Sequence, residues 1–301
     1  MKIKSMKLKH TWQLHLMVLP GLVFLAIFSY APMVGISIAF QDFNPTKGFF
    51  GSPWVGLDNF RFMVELPDTL IILKNTLIIA GFKIVLGFFA PIIFALLLNE
   101  AKNYKIKRSV QTMVYFPHFL SWIILGGMFV DIFSLKGGAI NQIIGFFGID
   151  PIFFLGDKYW FRIIIIVTDV WKEFGFGTII YLAALAGINP ELYEAAVIDG
   201  ANRWKQTIHI TLPGIVSVAV LLATLSIGNV LNAGFDQIFN LYNPLVLDTA
   251  DIIDTWVFRM GILQAQYGLS TAVGLLKSII GLVLITTSYK LAARYANYRI
   301  F

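Results

Sequence analysis

The chain has 301 residues, of which 57% are hydrophobic and 13% are charged. Soluble domains carry about 25% charged residues, so this composition indicates an integral membrane protein and excludes a large water-soluble catalytic domain. Because cysteine is absent, a disulfide framework, a thiolate metal site and a cysteine nucleophile are excluded as well. The formal net charge of +6 comes from short basic clusters beside apolar runs, which is typical of membrane orientation rather than of nucleic-acid binding.

Six apolar runs predict six transmembrane helices in a single all-α membrane domain that covers residues 1–301. The first run follows a lysine-rich start but is far longer than the roughly 7–15-residue core of a signal peptide, so we expect it to stay in the membrane. Loops that contain Gly, Pro, Asn and Asp separate the runs. The predicted spans cover residues 12–40, 69–98, 110–133, 161–187, 214–235 and 269–293.

Basic residues are distributed unevenly between the two sets of loops. The amino terminus, residues 99–109, residues 188–212 and the carboxyl tail from residue 290 contain four, four, two and three Lys or Arg residues, whereas the three opposite loops contain five. The positive-inside rule therefore predicts that both termini and residues 188–212 face the cytoplasm. An even number of spans agrees, since it places both termini on one side.

A charged, amphipathic segment, ELYEAAVIDGANRWKQTIHITLPG, separates the fourth and fifth runs at residues 191–214. Asn-Pro-Glu at 189–191 predicts a helix start with Asn189 as the N-cap, and Gly200 predicts its end. A second helical stretch over 201–209 leads to Pro213, which is expected to mark the entry to the next span. An interfacial connector that lies on the lipid headgroups is one interpretation of this segment.

The residue spacing of the segment favours a more specific interpretation. Glu-Ala-Ala is followed after three residues by Gly, after nine more by Ile, and after one more by Leu-Pro. This pattern resembles the EAA loop in the membrane subunits of binding-protein-dependent ABC importers. The residues that match it are Glu194, Ala195, Ala196, Asp199, Gly200, Ala201, Ile210, Leu212 and Pro213.

The resemblance extends over nearly the whole chain. The stretches LMVLPGLVFLAIFSYAPMVGISIAFQDFNP, WVGLDNFRFM and YFPHFLSWIILGGMF are similar to the maltose-type carbohydrate branch of the family, especially to permeases for complex oligo- and polysaccharides such as alginate- or pectin-type importers. The resemblance implies the type I ABC importer permease fold in a bacterial inner membrane.

The resemblance also implies partners. In this family a second, similar permease completes the pathway, two cytoplasmic ATPase subunits power it, and an extracytoplasmic solute-binding protein delivers the sugar. The EAA loop forms a coupling helix that docks into the ATPase, so ATP and Mg are expected in those subunits. This chain is expected to bind no cofactor and to be no enzyme, and it contains no G-x-x-x-x-G-K-[ST] phosphate loop.

Charged residues inside apolar runs usually face a cavity or a partner, because a charge in hydrocarbon is costly. Lys83, Asp169, Lys172, Glu173 and Lys277 have this placement. Lys172 and Glu173 either neutralise each other or line the pathway, and Lys277 either lines it or makes a structural contact.

Sugars are held by aromatic faces combined with convergent polar groups, and the fourth and fifth runs offer this mixture. In a chain with 15% aromatic residues, such groups also occur in ordinary packing. The two pathway lysines slightly favour an acidic saccharide. The candidate pathway residues are Lys83, Trp171, Lys172, Glu173, Phe174, Asn229 and Asn232.

Two other functions fit the composition. An ion-coupled secondary transporter of a small solute would use residues 191–213 as a simple connector. A membrane enzyme would need a catalytic constellation, and neither H-E-x-x-H nor G-x-S-x-G occurs. No metal site is predicted, because metal-ligand spacing is absent among His10, His15, His118 and His209.

Overall fold

The computed structural model describes residues 12–295 of the chain. Several residues used in the sequence analysis lie outside this range, namely Lys2, Lys4, Lys7, Lys9, His10 and Arg299. Within residues 12–295 the protein is helical, and β-pairing is limited to one isolated antiparallel bridge between Gln41 and Trp54.

Long helices alternate with short ones along the described chain. The α-helices are α1 (Trp12–Leu25), α2 (Gly48–Gly51), α3 (Asp58–Glu65), α4 (Asp68–Glu100), α5 (Tyr104–Tyr115), α6 (Trp122–Ile132), α7 (Ala139–Phe146), α8 (Lys158–Ala186), α9 (Glu191–Ile198), α10 (Arg203–Gln206), α11 (Leu212–Gly228), α12 (Phe235–Leu241), α13 (Leu247–Ala250), α14 (Ile253–Phe258) and α15 (Tyr267–Tyr295). The π-helical turns are Ala26–Tyr30, Thr207–Thr211 and Arg259–Leu263, and the 3-10 stretches are Ala31–Phe40, Phe116–Phe119 and Pro244–Val246.

Four helical stretches are long and apolar enough to cross a membrane, and they match the first, second, fifth and sixth predicted spans. They are Trp12–Phe40, Asp68–Glu100, Arg203–Gly228 and Tyr267–Arg294. A fifth candidate, in place of the third predicted span, is the pair Tyr104–Phe119 and Trp122–Ile132, which is bent by 104°. The described residues therefore contain four to five candidate spans by length and composition.

The fourth predicted span corresponds to α8, a helix of 29 residues. At 1.5 Å per residue, α8 is about 44 Å long, which exceeds the thickness of a hydrocarbon core. It is not among the four candidates because Asp169, Lys172 and Glu173 place three charged residues in its middle. A count of six spans stays a prediction.

The third predicted span, residues 110–133, is bent rather than one straight helix. Pro117 lies in the 3-10 turn that follows α5, and its ring and missing N–H disfavour a continued α-helix. Ser121 then caps a new helix, because its Oγ accepts the Ile124 N–H. The bend between the two helices follows from this proline and cap.

The fifth predicted span, residues 214–235, extends past the end of the helix. Helix α11 begins at Leu212, close to the predicted start, and it follows α10 and the π turn Thr207–Thr211 in one continuous helical stretch, Arg203–Gly228. Pro213 lies in the first turn of α11. At the other end the helix stops at Gly228 rather than near Phe235. The apolar residues Leu231 and Ala233 extended the predicted run, but they are buried in protein outside the helix.

The described residues divide into two compact units by their contacts. The first consists of residues 12–66 and Val257–Leu276. Within it, Asn59 Nδ2 donates to the carbonyls of Ala39 and Gln41, each at 3.0 Å. These bonds join α3 to the end of the first candidate span.

The second unit consists of Pro67–Trp256 and residues 277–295. Its main core contains Ile79, Leu125, Phe161, Ile165 and Ile238, which are all fully buried. Helix α8 also approaches α5 closely, since a Cβ atom on Gly175 would lie 2.1 Å from the Val114 carbonyl oxygen. Glycine at position 175 is therefore required for this helix contact.

We expect Gly175→Ala to lower the stability of the protein, because the added methyl group collides with backbone that cannot rotate away. Overpacking of this kind typically costs about 1–3 kcal/mol. Gly81→Ala is the matched control, because a Cβ there meets no atom within 4 Å. The thermal unfolding midpoint of the detergent-purified protein measures both, and equal midpoints for the two variants would contradict the expectation.

Candidate functional site

A cavity of about 360 Å³ lies in the second unit, bordered by α4, α8 and the end of α11. Its polar lining residues are Lys83, Asp169, Glu173, Ser226, Asn229 and Asn232. Four of the seven candidate pathway residues are thus brought together: Lys83, Glu173, Asn229 and Asn232. The volume falls in the lower part of the range found for small-molecule sites.

Lys83 is buried at one side of the cavity and makes three hydrogen bonds. Its Nζ donates to Asp169 Oδ1 at 3.0 Å, to the Ala233 carbonyl at 2.8 Å and to Gln237 Oε1. The Lys83 side chain is 8% exposed and that of Asp169 is 23% exposed. The ammonium is therefore compensated by the protein, as a charge at membrane depth must be.

Gln237 extends this network, and the sequence analysis missed it. The residue is fully buried, and its Nε2 donates to the Ile165 carbonyl and to Thr168 Oγ1, both at 2.8 Å. An apolar helical turn surrounds it in the sequence, formed by Phe235, Ile238 and Phe239. That turn is the signal that would have indicated a buried amide.

Residues 229–234, here called the asparagine segment, form the wall of the cavity beyond α11. Asn229 and Asn232 are exposed, and Asn232 Nδ2 donates to Asn229 Oδ1 at 3.1 Å. Gly234 ends the segment with a φ of 97°, a left-handed conformation that favours glycine. The two amides therefore project from non-helical backbone rather than from a helix face.

Lys172 pairs with its neighbour and does not reach this cavity among the described residues. Its Nζ donates to Glu173 Oε1 at 2.9 Å and to the His118 carbonyl at 2.8 Å. Glu173 Oε2 lies 2.7 Å from His118 Nδ1, and the His118 ring stacks on Phe176. Glu173 thus joins this group to the cavity lining.

The remaining aromatic candidates each contact another aromatic ring. Trp171 contacts Phe129 edge-on at 5.8 Å between ring centroids, and Phe174 contacts Phe94 edge-on at 5.2 Å. Neither belongs to the cavity lining in the described part of the chain. Lys277, the last charged residue considered, forms an ion pair with Asp254.

The charged segment between α8 and α11 contains a short helix with well-defined ends. Asn189 Oδ1 accepts the Glu191 N–H at 3.1 Å at the start of α9. At the other end, Gly200 has a φ of 73°, its N–H bonds to the Val197 carbonyl, and the Ala201 N–H bonds to the Ala196 carbonyl. This pair of bonds is a Schellman cap, which needs a left-handed residue at position 200. Helix α9 runs from Glu191 to Ile198, so it begins two residues after the predicted N-cap Asn189 and ends just before Gly200.

Two contacts tie the segment to long helices. The Tyr193 hydroxyl lies 3.0 Å from Thr211 Oγ1 in the π turn before α11, and Arg203 forms an ion pair with Glu100 at the end of α4. Apolar side chains on the same segment are nevertheless uncovered: Val197 is 63%, Ile198 86% and Trp204 71% exposed. The segment is therefore anchored on one side and open on another.

Residues 83–297 match the family described as binding-protein-dependent transport system inner membrane component. This chain belongs to that family. It is a multi-pass inner membrane protein with the type I ABC permease fold, and it serves as the transmembrane subunit of an importer, which is a transport component and not an ATPase.

Full-length relatives of the permease are found in Bacillus subtilis strain 168. Protein LplB is 44% identical over 98% of this chain and 92% of its own length. The polygalacturonan/rhamnogalacturonan transport system permease protein YteP is 44% identical over 96% of this chain and 90% of its own. A solved bacterial alginate ABC transporter, in complex with an alginate pentasaccharide-bound periplasmic protein, is similar with a TM-score of 0.90 and 36% identity, covering 97% of this chain and 98% of that one.

For the permease we expect Lys172→Met to lower stability by about 1–3 kcal/mol, because it removes charge-assisted hydrogen bonds while Glu173 keeps part of its hydration. Adding Glu173→Gln should recover much of the loss. Thermal unfolding of the purified complex measures both variants. Unchanged stability in the single variant, with reduced uptake of acidic saccharide alone, would instead place Lys172 in contact with cargo.

Proposed function

We propose that this permease and a second, similar one form the pathway of an ATP-driven importer for oligo- or polysaccharides that contain uronate residues. Two cytoplasmic ATPase subunits, which bind ATP and Mg, power it, and an extracytoplasmic binding protein delivers the sugar. The chain forms a single domain that spans the membrane six times, with both termini in the cytoplasm. The similarity to the rhamnogalacturonan and alginate transport proteins over almost their entire length carries this proposal.

The cavity supplies chemistry that suits a sugar. Asn229 and Asn232 present amides to it, and Glu173 and Ser226 add further groups that hydrogen-bond hydroxyls. The cavity in one chain has a volume of about 360 Å³, and a second permease would supply the opposite wall of the pathway.

Acidic cargo is supported by the relatives rather than by free cations in this cavity. Lys83 donates to three protein acceptors, and Asp169 and Glu173 add negative charge to the same wall. Uronate carboxylates would therefore pair with cationic side chains on the wall that the second permease provides.

The test is ATP hydrolysis and uptake by the intact complex in proteoliposomes, supplied with its binding protein. Oligogalacturonate and alginate oligosaccharides are compared with neutral galacto- and maltooligosaccharides of equal length. We expect acidic saccharides to stimulate hydrolysis and to enter the vesicles, and the mass of the complex to include two permease and two ATPase chains. Stimulation by neutral saccharides alone would refute the acidic class, and uptake by the isolated chain would refute the paired pathway.

The segment around α9 is proposed to couple this pathway to the ATPase subunits. Its exposed Val197, Ile198 and Trp204 offer an apolar surface for a cytoplasmic partner. The contact between Tyr193 and Thr211 would pass movement of α9 to the base of α11. The residues assigned to this role are Glu194, Ala195, Ala196, Asp199, Gly200, Ala201, Ile210, Leu212 and Pro213.

Gly200→Val should impair coupling, because a left-handed conformation costs an L-residue about 1–2 kcal/mol and a β-branched one more. Gly200→Asn is the matched control, since asparagine tolerates this conformation and is of similar size. We expect sugar-stimulated ATP hydrolysis to fall in the valine variant and to persist in the asparagine variant, with equal membrane insertion. Equal stimulation in both would show that the cap has no part in coupling.

A further inference from the structure

The asparagine segment depends on outside contacts for its shape. Non-helical backbone persists at membrane depth only where protein or cavity water satisfies its polar groups. Within the segment, the Asn232 N–H bonds to the Asn229 carbonyl at 2.8 Å. The Ala233 carbonyl instead accepts from Lys83 on α4. The placement of both asparagines in the cavity wall therefore depends on how this carbonyl is held.

Lys83 Nζ is the point at which α4 is joined to the segment. The three N–H groups of an ammonium match its three acceptors, which are contributed by α8 (Asp169), by the segment (Ala233) and by α12 (Gln237). A cargo carboxylate could reach this ammonium only by displacing one of them. All three N–H groups of Lys83 are thus used by acceptors within the protein.

Gly234 provides a second, independent indication of this close approach. A Cβ atom at position 234 would lie 2.8 Å from Lys83 Nζ, and the φ of 97° is itself unfavourable for any other residue. With glycine at position 234, the backbone leaves room for the Lys83 ammonium in the place where a larger residue would displace it.

From these contacts we infer that Lys83 is a positioning residue for saccharide passage, whose ammonium holds the Ala233 carbonyl and so fixes the asparagine segment in the cavity wall. The inference rests on the proposed function, since the wall matters for uptake only if cargo passes it. Lys83 was expected from the sequence to line the pathway and favour acidic cargo. In the positioning role, its loss affects acidic and neutral saccharides alike.

The chain has no cysteine, so N232C introduces a single thiol as a reporter of the segment. Its rate of labelling by a membrane-impermeant sulfonated maleimide is compared with and without the pair K83M and D169N. Both charges are removed together because K83M alone would leave Asp169 without its cation. We expect the labelling rate to change by about tenfold, the size typical of one charge-assisted hydrogen bond. A reporter at the exposed Lys136, K136C, should label at an unchanged rate.

Transport provides the second measurement, with asparagine retained at position 232. We expect the paired variant to assemble with its partners but to import fewer sugar molecules per ATP hydrolysed, for acidic and neutral saccharides equally. Gly234→Ala should act in the same direction with both charges present, because it displaces the ammonium. A purely structural role would lower the amount of complex without changing this ratio.

Three results would overturn the inference. The first is a paired variant with unchanged labelling and transport, in which Lys83 merely neutralises Asp169. The second is a loss confined to acidic saccharides, which makes Lys83 a cargo contact. The third is Gly234→Ala with unchanged labelling and transport, which decides the matter if the paired variant does not assemble. If the unaltered complex imports no saccharide, the proposed function fails. The labelling result still tests whether Lys83 fixes the position of the asparagine segment.

Discussion

The central constraint on this permease is the energetic demand of a buried ammonium. Lys83 must be satisfied by protein, and the acceptors it finds lie on α8, on the asparagine segment and on α12. Gln237 continues the network to the backbone and side chains of α8. One ammonium thereby joins α8, the asparagine segment and α12 beside the cavity through hydrogen bonds, which are directional in a way that apolar packing is not.

A second charged group lies farther along α8 and is organised differently. Lys172, Glu173 and His118 satisfy one another at the bend between α5 and α6, and the stacked ring of Phe176 covers the histidine. Glu173 belongs to this group and also to the cavity lining. The break at Pro117 and the cavity are thus linked through one carboxylate, which makes the bent pair part of the site.

Much of the fold follows from hydropathy, because long apolar runs have few alternatives to membrane helices. The helix-start sequence Asn-Pro-Glu at 189–191 and the glycine at position 200 likewise located α9 to within two residues. Hydropathy was a poor guide where apolar residues are buried by protein instead of lipid, as at Leu231 and Ala233, and where Pro117 bends a predicted span. Among the site residues, charge inside a span revealed Lys83 and Asp169. Gln237 is uncharged and lies outside the predicted spans, so the apolar turn around it indicates only that its amide is buried, whereas its partners are known from the structure.

The unbroken helix from Arg203 to Gly228 has a mechanical consequence. Its 26 residues make a rod about 39 Å long. The rod has Tyr193 and Thr211 in contact near its base and the asparagine segment at its tip. A tilt of about 5° at the base would displace the tip by about 3 Å, roughly the length of a hydrogen bond. Small angular changes at the end near Thr211 would thereby be magnified into the making or breaking of individual contacts at the asparagine segment.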